Sequence, residues 1–432
     1  MKSLWQATSN LPCFPALEGD IKTDALIIGG GIAGLLTAFF LKKKGVDCVL
    51  AEKNKICSGT TGNTTAKITY QHSLIYHKLI RNYGIDKAKL YYEANRLALY
   101  KFSEMCHEID CEFETKTNYV YSKNNMTKLE KELKAAQSLG IPMNYVKAIP
   151  LPVDTIGAVY CENQAQFHPL KFLSAIAKEL NIYENTLIKQ VHGKVAVTDK
   201  GNITAEKIIV ASHFPFIDSH GSYFMKMYQS RSYVIALENA ADVNGMYIDE
   251  SGKGLSFRNY GKLLLLGGGS HRTGKSSDKY AGLRHFKSIA YPAATERYHW
   301  AAQDPITLDA APYIGHYSKH TPHIYVATGF NKWGMTGAMV SAMLLSEMLV
   351  DKKPYYAEAF SPHRSMLKPQ LFLNAGETLL NFITPTRKRC SHLGCVLKYN
   401  KQEKSWDCPC HGSRFNENGR VLDNPAVNDI KE

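Results

Sequence analysis

The sequence has no apolar run that would take the chain out of the cytoplasm. Its first 20 residues contain no continuous hydrophobic stretch and include Pro12 and Pro15, which is not the pattern of a signal peptide. Residues 25–41 are uncharged, but this stretch is shorter than the ~20 residues that a membrane span needs, and glycine lies at its centre. We therefore expect a cytoplasmic protein with no transmembrane segment, in which the ten cysteines are mostly reduced thiols or metal ligands.

Acidic residues are the scarcer charge. The chain has 39 Asp and Glu residues against 52 Lys and Arg residues, which gives a net charge of +13. Such an excess suits a protein that meets an acidic partner, such as nucleic acid or a membrane surface. The basic residues are mostly scattered, however, and form no concentrated arm with interleaved aromatic residues, so a nucleic-acid partner is not expected.

The most informative stretch is a glycine-rich turn that follows a short apolar run. Residues 25–28 have the composition of a strand buried in a parallel sheet, and Gly29, Gly31 and Gly34 follow with the spacing G-x-G-x-x-G. In a dinucleotide-binding fold these glycines make the turn, admit the pyrophosphate and let the next helix pack on the strand. A second strand then ends at Glu52, where an acid accepts hydrogen bonds from a ribose.

Two further stretches are expected to contact the same cofactor. A polar loop at residues 58–67 offers small hydroxyl side chains for the phosphates, including Thr60, Thr61, Thr64 and Thr65. Later, an apolar strand at residues 323–327 leads through a glycine turn into a helix, an arrangement that binds anions or polar rings at the helix N-terminus. The sequence has no second G-x-G-x-x-G, which favours FAD over a flavin enzyme that also binds NAD. The residues of the late turn are Gly329, Phe330, Asn331, Trp333, Gly334, Met335 and Thr336.

Four of the ten cysteines are crowded into residues 390–410. One residue separates Cys390 from His392, and two residues separate Cys408 from His411. Two thiolates and two imidazoles on two short loops fit a Rieske [2Fe–2S] centre or a structural zinc site with the same four ligands. Zinc sites more often use cysteine pairs with two to four residues between them, so the C-x-H pair favours the iron–sulfur cluster.

Residues 1–365 resemble the D-amino-acid-oxidase and glycine-oxidase superfamily of FAD-dependent oxidoreductases. The resemblance is carried by the glycine turn, Glu52, the threonine loop, the late turn and two segments at residues 300–304 and 309–315. It implies an α/β fold, with a Rossmann-like FAD-binding domain and an inserted mixed-sheet substrate domain. We expect the FAD-binding parts at residues 20–80, 160–215 and 300–355, and the substrate domain at residues 81–159 and 216–299.

Residues 385–432 resemble a shortened Rieske domain, a small all-β piece that follows a linker at residues 366–384. The two loops that hold the cysteines and histidines look like the cluster-binding loops of Rieske proteins. The resemblance implies that Cys395 and Cys410 form a disulfide between the loops, and that Ser413 hydrogen-bonds a cluster sulfur. A piece of roughly 45 residues buries little core by itself. We therefore expect its stability to depend on contacts with the flavin domain or on its bound metal.

The two resemblances together imply a flavin enzyme that oxidises a C–N bond of an amine or amino acid and passes electrons from the reduced flavin to the cluster. A bacterial group with this domain fusion is known. Such an enzyme needs a positioned neutral amine, and often a cation for a carboxylate. The cation candidates are Lys332, Arg231, His271 and Arg272, and Tyr233 is a candidate hydrogen-bond partner of the substrate. The electron acceptor stays unknown.

Two other functions fit the sequence. One is a flavoprotein that acts on tRNA, as some members of the superfamily do, and it predicts RNA binding with a steep salt dependence. The other is an electron-transfer protein without a small substrate of its own, which predicts that only another protein reduces the flavin.

Overall fold

The structure, a computed structural model, describes residues 2–275, 279–385 and 388–430. The α helices in these ranges are α1 (Leu4–Ala7), α2 (Ile32–Lys43), α3 (Tyr76–Tyr83), α4 (Ile85–Glu108), α5 (Met126–Ser138), α6 (Pro169–Ala177), α7 (Tyr223–Lys226), α8 (Tyr280–Ala290), α9 (Gly334–Leu349) and α10 (Pro369–Ile383). The strands are β1 (Ile21–Ile28), β2 (Cys48–Ala51), β3 (Lys67–Ile68), β4 (Glu114–Ser122), β5 (Asn144–Val146), β6 (Gly157–Gln166), β7 (Ile182–Tyr183), β8 (Gln190–His192), β9 (Val195–Val197), β10 (Asn202–Val210), β11 (Met227–Glu238), β12 (Met246–Asp249), β13 (Ser256–Tyr260), β14 (Leu263–Arg272), β15 (Thr295–Thr307), β16 (Tyr313–His316), β17 (Ile324–Thr328), β18 (Lys398–Asn400), β19 (Ser405–Asp407), β20 (Arg414–Asn416) and β21 (Val421–Asp423).

The first sheet is the predicted Rossmann-like core. Its strands follow the order β16-β17-β10-β1-β2-β7, and β8 and β9 extend it beside β10. The central strands are parallel, with Ile27 of β1 between Ile209 of β10 and Leu50 of β2. These strands are apolar runs because helices cover them, and α2 and α9 pack against each other over the sheet. The glycine turn follows β1 and the late turn follows β17, so the two turns lie at the carboxyl ends of parallel strands on either side of β10, where such sheets bind ligands.

The second sheet is the mixed sheet expected of the substrate domain. Its order is β15-β11-β14-β13-β12-β4-β6-β3, with β5 beside β6, and β12 and β4 form a parallel pair among antiparallel neighbours. The sheet takes in more chain than we predicted, since β3, most of β6 and most of β15 fall inside the segments expected to bind FAD. Strand pairing over long sequence distances sets these boundaries, and local composition does not record such pairing.

The segment at residues 366–384, expected to be a linker, differs from that expectation because it contains helix α10. Pro369 stands in its first turn, where a proline costs no intrahelical hydrogen bond. The helix ends a few residues before the first cluster loop, and the backbone N–H of Val396 donates to the carbonyl of Asn381 (2.9 Å). Helix α10 is therefore packed against the C-terminal piece.

The C-terminal piece is the expected small all-β unit. Its strands β18–β21 form an antiparallel sheet in sequence order. Its buried apolar cluster is small, and four of its seven fully buried members are cysteines: Cys390, Cys395, Leu397, Cys408, Cys410, Phe415 and Ala426. So little apolar area cannot offset the ordering entropy of the segment. Other contacts must hold the piece in place.

A buried ionic network supplies part of this support. Arg414 lies at its centre, with three acidic partners: Asp407 at 3.0 Å, Asp423 at 3.0 Å and Glu403 at 2.9 Å. The carboxylate of Glu403 also forms an ion pair with Arg231, which belongs to β11 of the second sheet. The network therefore ties the C-terminal sheet to the substrate domain.

The helices within the described residues include none that is both long enough and apolar enough to span a bilayer.

We expect Arg414→Ala to loosen the C-terminal piece selectively. The change leaves three acidic groups near one another without their cation, and breaking a buried ion pair in this way costs about 3–5 kcal/mol. Hydrogen exchange read by mass spectrometry should show faster exchange in peptides from residues 390–430 and little change in the first sheet. Arg420→Ala is the matched control, because Arg420 is an exposed arginine of the same piece. Equal exchange in the two variants would contradict this account.

Candidate functional site

The glycine turn has no room for side chains. Gly29 has a φ of +117°, and a Cβ there would lie 2.6 Å from the carbonyl oxygen of Ala211. A Cβ on Gly34 would lie 1.9 Å from the carbonyl oxygen of Gly29, and one on Gly31 would lie 3.1 Å from Oγ1 of Thr61. The turn, the helix and the neighbouring strand therefore pack at backbone distance, as a pyrophosphate-binding turn requires.

Glu52 lies directly after β2, next to this turn. Its carboxylate accepts hydrogen bonds from the backbone N–H groups of Gly30 (2.7 Å) and Asn54 (2.9 Å). Burial raises the pKa of Glu52, and these two hydrogen bonds partly offset the rise. The acid is thus held rigidly at the strand end, where the dinucleotide fold places a ribose.

A cavity of about 1600 Å³ opens beside the turn. It is large enough, and elongated enough in its lining, for a dinucleotide, and it runs from the glycine turn to the late turn. Of the predicted cofactor residues, Gly34, Gly329 and Thr336 do not line the cavity. The others line the cavity: Gly29, Gly31, Glu52, Thr60, Thr61, Thr64, Thr65, Phe330, Asn331, Trp333, Gly334 and Met335. These residues fit FAD.

The threonine loop joins two parts of the cavity wall. Oγ1 of Thr61 accepts a hydrogen bond from the backbone N–H of Ile32 (3.0 Å), at the start of α2. The hydroxyl of Thr60 donates to the carbonyl oxygen of Gln303 (2.9 Å), on β15. The loop is therefore fixed to the start of α2 by Thr61 and to the second sheet by Thr60.

The late turn has an unusual backbone. Gly329, Asn331 and Lys332 all have positive φ angles, of 72°, 53° and 72°. The side chain of Asn331 holds the turn, since its oxygen accepts from the backbone N–H of Thr307 (2.8 Å). Left-handed backbone at non-glycine residues is strained and is often found at functional sites. Here it directs Lys332 into the cavity wall.

Lys332 has an environment that weakens its charge. Its Nζ donates a hydrogen bond to Oγ of Ser270 (2.6 Å), and the open part of its side chain faces the cavity. Burial lowers the pKa of Lys332, and the nearby carboxylate of Asp304 partly offsets this effect. Lys332 is therefore a cation inside the cavity with no carboxylate in salt-bridge contact among the described residues.

Three other residues predicted to bind the substrate contact the C-terminal piece instead. Arg231 and Tyr233 both bind the carboxylate of Glu403, the tyrosine hydroxyl at 3.2 Å. Arg272 donates to the carbonyl oxygens of Pro409 (2.8 Å) and Cys410 (2.8 Å), in the second cluster loop.

His271 lies between these groups. Its ring stacks on that of Tyr233, with centroids 5.8 Å apart and an angle of 10° between the planes. All four of these residues line the cavity, but the structure places both arginines and the tyrosine in contacts between the domains.

Sequence reasoning missed Asp304, which also lines the cavity. Burial raises the pKa of its carboxyl group, and the positive charges of His213, Lys332 and Arg231 partly offset this rise. Asp304 therefore adds an acid to the cavity wall that holds Lys332. It stands in the segment at residues 300–304 that carried the family resemblance, and this was the signal that could have found it.

The four predicted metal ligands come together in the C-terminal piece. The thiols of Cys390 and Cys408 contact each other, and the rings of His392 and His411 lie 5.0 Å apart at 87°. Both Nδ1 atoms of the histidines are buried and have no hydrogen-bond partner among the described residues. Burial also lowers the pKa of His411, which favours the neutral imidazole that metal binding needs. Paired thiols and paired orphan imidazole nitrogens fit a [2Fe–2S] cluster.

Groups around the ligands complete the site. Oδ2 of Asp218 lies 2.9 Å from Nε2 of His392, on the side of the ring away from Nδ1, as carboxylates beside metal-bound histidines commonly do. The sulfurs of Cys395, Cys408 and Cys410 lie within 4.8 Å of one another. Cys395 and Cys410 are separate thiols in the structure, so the disulfide implied by the resemblance is not present in it.

Two glutamines connect the cluster site to the cavity. Nε2 of Gln229 donates to the carbonyl oxygen of His411 (3.1 Å), and Nε2 of Gln303 donates to that of Gly412 (2.9 Å). The backbone carbonyl of Gln303 is the one that Thr60 binds. A single residue therefore contacts the second cluster loop with its side chain and the threonine loop with its backbone.

Two protein families match the chain. Residues 24–348 match the family described as FAD dependent oxidoreductase, and residues 370–432 match the Rieske [2Fe-2S] domain. The Rieske match begins inside α10, earlier than the boundary we predicted at residue 385.

Individual relatives agree with both matches. The chain is 36% identical over its whole length to YhfW of Bacillus subtilis (strain 168), provisionally named a Rieske 2Fe-2S iron-sulfur protein, and covers 97% of it. It is 23% identical to gamma-glutamylputrescine oxidoreductase of Escherichia coli (strain K12), across 81% of this chain and 89% of that protein. The L-proline dehydrogenase structure from P. horikoshii superposes with a TM-score of 0.68 at 19% identity, and covers 81% of this chain and 98% of its own.

We expect Ser413→Ala to lower the reduction potential of the cluster without removing it. Oγ of Ser413 accepts from the backbone N–H of Ala426 (3.0 Å) and contacts the Cys390 thiol, so its proton is placed to stabilise a thiolate. Losing a hydrogen bond to a charged group worth about 1.4 kcal/mol corresponds to roughly 60 mV for one electron. A redox titration followed by electron paramagnetic resonance measures the shift.

Ser391→Ala is the control for this titration. Ser391 lies in the first cluster loop, and its hydroxyl donates to the carbonyl of Asn428. Iron content should stay unchanged in both variants. Equal potentials in the two variants would show that the Ser413 hydroxyl does not tune the cluster.

Proposed function

Because the chain belongs to the FAD-dependent oxidoreductase family and carries a Rieske [2Fe-2S] domain, we propose that it oxidises a C–N bond of a small amine or amino acid and delivers the electrons to its cluster. The residues that line the cavity would hold FAD, which would supply a hydride acceptor for the substrate carbon and a source of single electrons that suits a one-electron cluster. The names of two relatives, gamma-glutamylputrescine oxidoreductase and L-proline dehydrogenase, support a C–N bond as the target.

The position of Gln303 is the main support for the proposed electron transfer from the flavin to the cluster. It contacts the second cluster loop at Gly412 and the threonine loop of the cavity at Thr60, so one residue links the two sites at this point. Such a short protein path favours transfer inside one chain. An attached cluster also offers electrons a route other than oxygen, which favours a dehydrogenase over an oxidase.

The charges of the cavity support an amino-acid substrate. We assign the carboxylate to Lys332, because Arg231 and Tyr233 are occupied by Glu403 and Arg272 by the second cluster loop. We assign the amine to Asp304, whose raised pKa suits a group that takes a proton from an incoming ammonium and leaves the amine neutral. His271 is proposed to position the substrate from the second sheet.

We expect Lys332→Met to reduce kcat/KM for a carboxylated amine by about tenfold to a hundredfold, the value of one charge-assisted hydrogen bond. Lys332→Arg should restore most of the loss. Since the pKa of Lys332 is lowered, its charge is present below that pKa and lost as the pH rises through it, so KM should rise at alkaline pH. In Lys332→Arg the guanidinium stays charged and this rise should vanish. Equal KM values in all three proteins at every pH would contradict the assignment.

A separate experiment tests the route of the electrons. Cys390→Ser removes a cluster ligand but no residue of the cavity wall, so iron content should fall to near zero while FAD is retained. Mixed without oxygen with a panel of amines and amino acids, the variant should show flavin bleaching only, whereas the native protein should also show cluster reduction. Cys13→Ser, at an exposed cysteine, should behave like the native protein. Bleaching by no compound in any protein would favour an electron-transfer protein without its own substrate.

A further inference from the structure

Helix α10 is amphipathic, but its polar side faces the protein and its apolar side faces solvent. Asn374 and Asn381 are buried against the protein, and Gln370 and Glu377 lie on the same side. The spacing of these four residues is that of one helical face. The rest of the helix surface carries exposed apolar residues, which we call the outer face: Phe372, Leu373, Leu379, Leu380, Phe382 and Ile383.

Polar contacts fix this orientation. The side-chain oxygen of Asn374 accepts from Arg272 (3.0 Å), and Glu377 pairs with Lys275 at 2.7 Å. Asn381 donates its side-chain amide to the carbonyl of Glu377 (2.7 Å), and its own carbonyl receives the N–H of Val396. Turning the helix to bury its apolar side would break the contacts with Arg272, Lys275 and Val396, which lie outside the helix. These contacts therefore keep the outer face exposed.

The outer face is widely exposed. Phe372 is 69% exposed, Leu379 62% and Ile383 63%. Leu367 (78%) precedes the helix, and Leu393 (37%), in the first cluster loop, follows it. Scattered apolar residues are ordinary on a surface, but a contiguous set on one helix marks an interaction site. The hydrophobic effect alone therefore predicts that something covers this side of α10.

Charge indicates what covers it. Residues 361–398 contain six basic residues, Arg364, Lys368, Arg387, Lys388, Arg389 and Lys398, and one acid, Glu377; Arg387 lies outside the described residues. Arg364 is buried in an ion pair with Asp309, so the described cations that flank the helix are Lys368 before it and Lys388, Arg389 and Lys398 after it. Glu377 belongs to the inner side of α10 and is paired with Lys275. With a net charge of +13, a second copy of the chain would be repelled, whereas an anionic surface would be attracted.

We propose that α10 docks the protein on an anionic membrane surface. An apolar helix face flanked by Lys and Arg lies in the plane of the headgroups, with its apolar side chains in the acyl boundary and the cations on the anionic lipids. The first cluster loop is beside the docked face, since a Cβ on Gly394 would lie 3.6 Å from the ring of Phe382. Docking thus brings the loop that holds Cys390 and His392 to the lipid surface, whatever the substrate at the flavin.

Vesicle binding tests the proposal without any assay of activity. Sedimentation should show binding of the native protein to mixed phosphatidylglycerol and phosphatidylcholine vesicles, weaker binding at high salt, and little binding to phosphatidylcholine alone. The double variant Phe372→Glu, Leu379→Glu should bind at least tenfold more weakly, because both side chains are already exposed in the free protein and their loss removes only the inserted area. Ile289→Glu is the control, since Ile289 is 70% exposed on α8.

Three results would overturn the proposal. They are no binding of the native protein to the anionic vesicles, equal binding by the double variant and the Ile289→Glu control, and equal binding to neutral and anionic vesicles. Sedimentation velocity gives a second readout. If the native protein is a dimer that the double variant converts to a monomer, a second copy covers α10 and the membrane assignment is wrong.

Discussion

The contact between Glu403 and Arg231 is the constraint on which the arrangement of this protein depends. The C-terminal piece has a buried core made largely of four cysteines, too small to hold a fold alone. It is fixed by Glu403 on Arg231, by the carbonyls of the second cluster loop on Arg272, and by Gln229 and Gln303. Replacing a buried ion pair by apolar groups is often neutral for stability, so we regard this network as a device that sets the position of the piece.

Because these arginines hold the C-terminal piece, fewer cations of the cavity remain to contact a substrate. Arg231 and Arg272, two of the cations predicted to bind a substrate carboxylate, are occupied by the Rieske piece. Lys332 and Asp304 remain as a cation and an acid in one cavity wall, each with its pKa moved towards neutrality mainly by burial. The fusion of the two domains and the chemistry of the substrate site are therefore linked. A chain without the Rieske piece would expose Arg231 and Arg272 to the substrate.

Local motifs could be predicted from the sequence because each is a short segment whose backbone geometry restricts which residues it can contain. Gly29 and Gly34 have no room for a Cβ, a Cβ on Gly31 would press on Thr61, and the two cluster loops carry ligands at fixed spacing. Contacts between distant segments were not readable. Nothing near Arg231 in the sequence indicates that Glu403 will bind it, and the apolar residues of α10 suggested no fold because they face away from the protein. The bounds of the second sheet depend likewise on strand pairing across long separations.

We propose that the cavity and the cluster form one electron-transfer unit within a single chain. Flash photoreduction of the flavin in the native protein, without oxygen, tests it directly and needs no knowledge of the substrate. The account predicts that the cluster is then reduced in a first-order step whose rate does not change when the protein is diluted. A rate that falls in proportion to protein concentration, or a cluster that stays oxidised, would contradict it.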